Sequence, residues 1–264
     1  MFSNSNQLIM FSTFFGTLFA VASVVIGALI TTGKVKTVKV LGIGYILAGI
    51  LGFASSVISF LRYSVKKPEF VVSLTQAGTY LSLIITFITV LCICLFIHKN
   101  YGYAWIYFPV FAMPVIRGIA SVISTKIFSI MGTMDYLFCV NLTNNITSLI
   151  TGTVESVLLI VVFYKNRKKE KVIPHVWIIR LATFCLNMAL PVTSIIFYAA
   201  CLNSTMNGAD LYHDWAYKFT LTQYYISIVN SLAGFALPIY ILVMTKKAEK
   251  KLEETPVVIE ENIG

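Results

Sequence analysis

A chain of 264 residues that is 58% hydrophobic, only 12% charged and formally +9 cannot be a soluble globular domain. Such domains carry about 25% charged residues, and a core of this size cannot hide so much apolar surface, so lipid must cover part of it. The basic excess needs no nucleic acid to explain it, because membrane proteins collect base on the cytoplasmic face, where anionic lipid attracts it.

The apolar residues fall into seven runs: Ile9 to Thr32, Val40 to Leu61, Phe70 to Ile97, Tyr103 to Ser124, Asn145 to Tyr164, Val176 to Ala200 and Phe219 to Met244. Each is long enough to cross roughly 30 Å of hydrocarbon as a helix. The predicted architecture is all-α, a seven-transmembrane helix bundle in one domain over residues 1–245, followed by a cytoplasmic tail of residues 246–264. Residues 1–8 carry no base and the first run is too long for the apolar core of a cleaved signal, so helix one is expected to act as its own insertion signal.

Along the chain, runs one and two place small residues at helical spacing, Gly16, Ala20, Ser23 and Gly27 against Gly42, Gly49, Gly52 and Ser56. That pattern predicts close packing of the two helices, with a homodimer face as the alternative. Run three carries Gln76 and Thr79 near its outer end, and run four carries Arg117. Run five is the most polar, with Asn145, Thr147, Ser148, Thr151, Thr153, Glu155 and Ser156. Runs six and seven contain Pro191 and Pro238, each of which removes a backbone hydrogen bond and bends its helix into a hinge. The tail begins Lys246, Lys247, Lys250, Lys251 and ends in glutamates, a start compatible with an amphipathic helix on the inner leaflet.

Orientation follows from the loops. With the N-terminus outside and the C-terminus cytoplasmic, the inner segments hold Lys34, Lys36, Lys39, Lys99, the run Lys165, Arg167, Lys168, Lys169 and Lys171, and the tail lysines. The outer segments keep Arg62, Lys66, Lys67, Lys126 and Lys218, which is the poorer side, as the positive-inside rule requires. Sequons begin at Asn141, Asn145 and Asn203 on the outer side. Cys92, Cys94 and Cys185 read as packing residues, whereas Cys139 and Cys201 share the outer side, bridged or as two free thiols.

Candidate chemistry is sparse. The three histidines, His98, His175 and His213, form no metal-binding pair, no Lys lies inside a run to hold a retinal, and no nucleophile sits beside a base. No enzyme, cofactor or metal site is expected. Buried charge is the better guide, since an ionisable group within a span is costly and has a partner or faces a cavity. Arg117 is expected roughly 10 Å from the outer membrane surface and Glu155 roughly 15 Å, at 1.5 Å per residue. They either lock helix four to helix five as an ion pair or form the polar floor of an outer cavity, and a protonated, hydrogen-bonded Glu155 is the third reading. Gln76, Gln223, Tyr224 and Tyr225 are at compatible depth to line such a cavity, Asn187 and Asn230 nearer the middle line it too or bridge helices, and Asp210, His213, Asp214 and Trp215 form its lip or a solvated loop.

Seven helices, an outer N-terminus, a basic loop between helices five and six and kinked helices six and seven resemble a G-protein-coupled receptor. The rhodopsin-like motifs are absent, since helix three ends Phe96-Ile-His-Lys99 and helix seven reads Leu237-Pro-Ile-Tyr240. The stretch Leu190-Pro-Val-Thr-Ser-Ile-Ile-Phe197 is similar to the Pro-Ser-Ile-Ile-Phe run in helix six of fungal alpha-factor-type mating-pheromone receptors, and Ala236-Leu-Pro238 to their helix seven. The resemblance implies a plasma-membrane receptor for an extracellular peptide or small molecule that signals to a heterotrimeric G protein. Arg117, Glu155, Gln76, Gln223 and Tyr224 would then serve the ligand cavity, and Lys165, Arg167, Lys168 and Lys169 would meet the G protein. The competing reading is a small transporter or lipid exporter that uses the same buried polar groups as a pathway.

Overall fold

The computed structural model describes residues 2–64, 68–130, 133–207 and 211–254, with the side chains of 2–12, 62–64, 68, 69, 71, 72, 75, 76, 79, 82, 83, 133, 134 and 214 excepted. Over these residues the chain forms eight α-helices and no strand: α1 (Phe2–Thr32), α2 (Lys39–Ser64), α3 (Pro68–Tyr101), α4 (Tyr107–Phe128), α5 (Thr133–Asn166), α6 (Val176–Asn187), α7 (Ala189–Met206) and α8 (Leu211–Glu254). Since α6 and α7 together make one crossing, seven helical spans are long and apolar enough to traverse a membrane. Lipid offers no hydrogen bonds, so a spanning backbone must satisfy its own groups, and a helix does so locally.

Polar side chains obey the same rule. In α5, Asn141, Asn145, Thr147, Thr151 and Thr153 each donate to the carbonyl oxygen four residues earlier, at 2.7 to 2.9 Å. This back-bonding lets the most polar run form one 34-residue helix. That helix starts at Thr133, well before the expected Asn145, because the segment between them continues the same mixture of apolar residues and back-bonding Asn and Thr.

Consecutive helices are neighbours around a ring. α1 packs along α2, α2 along α3, α4 along α5, and α5 along both α6 and α7, while α8 closes the ring against α6, α7 and α1. α3 meets α4 more sparingly, through Phe87 on Phe111 at 5.1 Å and His98 on Tyr107 at 5.5 Å. The α1–α2 contact is as close as its small residues allow: a Cβ at Gly27 would fall 2.6 Å from the Gly42 carbonyl oxygen, and one at Gly49 would fall 2.7 Å from that of Ala20. These glycines are used within the chain.

The tightest packing sits at one end, where Ile30, Val38, Phe96, Ile97, Ile106, Leu159, Ile173 and Ile241 are fully buried in a single apolar layer. The loops carrying Lys34, Lys36, Lys39, Lys99 and the Lys165–Lys171 run all leave from this end, which we call the basic end. Gly102 makes the shortest of its turns: with φ +76° it accepts a conformation that other residues resist, and its N–H closes α3 on the His98 carbonyl at 2.9 Å.

Two expectations are revised. The seventh helix does not stop at Met244 but runs unbroken from Leu211 through Pro238 to Glu254. Its extension is held at the basic end by Glu249, which accepts the Lys34 backbone N–H at 2.5 Å and the Lys246 ammonium at 2.9 Å, and by a Lys34–Glu253 pair at 2.7 Å. Consequently His213 and Trp215 belong to the first turns of α8 instead of a loop. Asp210 and the Asp214 side chain lie outside the described residues. The span containing Pro191 breaks at Met188, where a proline ring at 191 collides with the carbonyl four residues back and offers it no N–H. A further proline, Pro114, is accommodated inside α4.

Candidate functional site: a polar cavity inside the bundle

Between α3, α4, α5, the α6–α7 break and α8 lies a cavity of about 970 Å³. Ile85 and Thr86 line it from α3, Arg117 from α4, and Asn145, Ser148, Gly152, Glu155 and Ser156 from α5. Asn187, Met188, Leu190 and Pro191, with Ser227, Asn230 and Ser231, complete the wall. On every helix these residues are farther from the basic end than the buried apolar layer, so that layer floors the cavity. From Asn230 to Ile241 along α8 is ~16 Å of helix.

The anticipated pair is present. Arg117 Nη2 lies 3.3 Å from Glu155 Oε2, with side-chain exposures of 28% and 14%. Its Nε–H donates to Thr151 Oγ1 at 2.5 Å, and Thr151 in turn donates to the Thr147 carbonyl at 2.7 Å. Thr151 is therefore a relay that fixes the guanidinium on α5, one turn before Glu155. Ion pair and cavity wall are one arrangement here, and Arg117 sits at mid-helix because α4 continues to Phe128.

Other candidates divide. Of the two readings open for Asn187 and Asn230, the cavity wall is the one they join, and both side-chain amide atoms of Asn230 are buried without a hydrogen-bond partner among the described residues. Gln223 is not part of the wall: its Nε2 donates to Thr193 Oγ1 at 2.8 Å and ties α8 to α7 two residues past Pro191. Tyr224 and Tyr225 also lie outside the wall, and Tyr225 is exposed. The Gln76 and Thr79 side chains lie outside the described residues. Cys139 and Cys201 are buried, unbridged thiols.

Sequence reasoning missed Arg180. Only four residues into α6, it turns into the bundle, where Glu155, Tyr45 and Cys94 form its electrostatic surroundings, and its Nε is buried without a partner among the described residues. Counting residues from the ends of the runs singles out Arg117 and Glu155 alone as deep charges; the neighbouring helices bring Arg180 inside as well.

The basic loop is also more ordered than a charge run suggests. Arg167 stacks on the Tyr164 ring at 3.9 Å and donates to the Tyr164 carbonyl at 2.9 Å. Glu170, within the basic run, accepts the Tyr101 hydroxyl at 2.6 Å and the backbone N–H groups of Val172 and Ile173 at 3.0 and 3.3 Å. The Tyr240 hydroxyl accepts the His175 N–H at 3.0 Å. The loop is thereby fastened to the end of α3 and to α8, leaving Lys165, Lys168 and Lys169 exposed.

Fold and site together define a multi-pass, seven-helix membrane protein with a polar cavity in its interior. No family model matches the chain, and comparisons with curated proteins and with solved structures return no match.

Proposed function

We propose that this protein is a seven-helix receptor whose ligand occupies the cavity and whose occupancy is passed through the α6–α7 break to a heterotrimeric G protein at the basic end. One observation carries the reading: Asn187, Met188, Leu190 and Pro191, the residues of the break, are themselves cavity wall. A ligand touching them acts on a hinge whose lower arm, α6, leads directly to the Glu170-fastened loop. The closed apolar floor supports signalling over passage, because it separates the cavity from the basic end. Under this reading the cavity opens to the extracellular side of the plasma membrane.

A second reading has its own support. Discontinuous helices that line a mid-membrane polar cavity are a feature of secondary transporters, in which the floor would open alternately.

Nucleotide exchange on co-expressed G proteins, stimulated with a peptide and small-molecule library, tests the first reading beside a Lys165, Arg167, Lys168, Lys169 to Ala variant. Ligand-dependent exchange that the variant loses is the expected result. Absence of exchange with any G protein, together with ligand flux into proteoliposomes, would replace the receptor with the transporter.

A further inference from the structure

Three charged side chains enter the bundle interior, and they do not cancel. Arg117 and Arg180 both act electrostatically on Glu155. Among the described residues no second Asp or Glu joins the cavity wall or the surroundings of Arg180. Glu155 is in contact with Arg117, so the Arg180 guanidinium is left without an ion-pair partner among the described residues, and an uncompensated charge within a span is costly and is retained for use.

Donors are also left over. Arg117 commits its Nε–H to Thr151 and one Nη2 contact to Glu155, so its Nη1 group makes no hydrogen bond among the described residues. The Asn230 amide, on the facing helix, is buried and unpartnered among those residues. Apolar wall is supplied by Ile85, Met188 and Leu190.

The geometry points to this cavity as a binding site for an organic anion, a carboxylate-bearing molecule held by the free Nη1 edge of Arg117, with its apolar body on Ile85, Met188 and Leu190. A volume of about 970 Å³ is at the upper end of the range for drug-sized ligands and far exceeds what an inorganic ion needs. Arg180 does not line the cavity; its charge adds to that of Arg117 around the single Glu155 carboxylate, so the group beside the ligand stays net positive. The inference rests on the cavity being a ligand site, which receptor and transporter share.

Purified protein in nanodiscs of neutral lipid is titrated with 4-phenylbutyrate, its neutral amide and the matching ammonium, and with sodium chloride, while the thermal unfolding midpoint is followed. A compound that binds the folded state alone raises the midpoint with concentration. The carboxylate alone is expected to do so. Arg117→Gln weakens it by about tenfold or more, the usual worth of a charge-assisted hydrogen bond. Glu155→Gln, which removes the internal competitor, strengthens it, and this gain is a readout that mere damage to the fold would not produce. Arg180→Gln, outside the wall, weakens it less than Arg117→Gln. Equal stabilisation by the amide or the ammonium overturns the anion assignment and leaves a ligand cavity. Stabilisation by sodium chloride equal to that by the carboxylate overturns the organic ligand. No shift with any compound overturns the inference, while G-protein exchange decides the receptor reading separately.

Discussion

Replacing Gly49 by Ala adds one methyl group where α1 and α2 press backbone against backbone. Its Cβ would lie 2.7 Å from the Ala20 carbonyl oxygen, 2.7 Å from Val24 Cγ2 and 2.9 Å from the Val24 nitrogen. Non-bonded carbon rests at roughly 3.3 Å or more from such atoms, so the helices must separate or tilt by about 0.6 Å, forfeiting dispersion along their shared face. Overpacking of this kind costs ~1–3 kcal/mol. Alanine also gains ~1 kcal/mol over glycine in helix propensity, which blurs a single variant. Gly52 supplies the control: it is in the same helix, and its Cβ would meet the Ala20 Cβ at 3.5 Å, an ordinary contact. Gly52→Ala receives the same propensity gain without the collision, so the difference between the two variants isolates the steric term. We expect Gly49→Ala to be less stable than Gly52→Ala by ~1–3 kcal/mol. Reversible unfolding in mixed micelles, followed by helical circular dichroism as denaturing detergent increases, measures both. Equal stabilities would refute the argument that backbone contact at Gly49 sets the α1–α2 distance.

Removing the Tyr101–Glu170 contact singly and together, with Tyr101→Phe and Glu170→Gln, should give a coupling energy of ~1–2 kcal/mol in a double-mutant cycle on unfolding; additive effects would mean that the loop is not fastened there. Pro191→Ala restores an N–H to the Asn187 carbonyl, so hydrogen exchange at residues 187–192 should slow and ligand-stimulated G-protein exchange should fall; unchanged protection would detach the break from the proline. The Glu253 carboxylate, through its hydrogen bond and charge, raises the Lys34 ammonium above its ordinary value of 10.5. Because the folded value is the higher one, the contribution is complete below pH 10.5 and disappears as pH climbs through the folded value. The protection factor against hydrogen exchange at residues 246–254, taken relative to the intrinsic base-catalysed rate at each pH, should fall over that window and with added salt, and Glu253→Gln should abolish that fall.

Several features of the interior were legible from one dimension. Arg117 and Glu155 meet because helices adjacent in sequence are adjacent in space, and a charge within a span needs a partner. The glycines of α1 and α2 meet because small residues at helical spacing permit nothing but close approach. Others were hidden for a common reason: their roles depend on what stands opposite them. Arg180 is four residues from the start of α6, yet groups on α2, α3 and α5 surround it. Glu170 looks like one acid diluted in base until Tyr101 is found at its carboxylate. Gln223, a cavity candidate by depth, shares a face of α8 with Asn230 seven residues on, but stands ~10 Å farther from the basic end, where it meets Thr193 of α7 while Asn230 meets the cavity.

Sequence alone determined that seven helices are fit to cross a membrane, and in roughly which residues. Hydropathy and the need of each backbone to satisfy itself in lipid are local properties, summed along the chain without reference to any neighbour. Only the tertiary structure decided which face of each helix turns inward, where the apolar floor closes the bundle, and that Arg117 pairs with Glu155 at a polar cavity with Arg180 buried nearby. Those follow from the rotation and relative height of packed helices, to which hydropathy is blind.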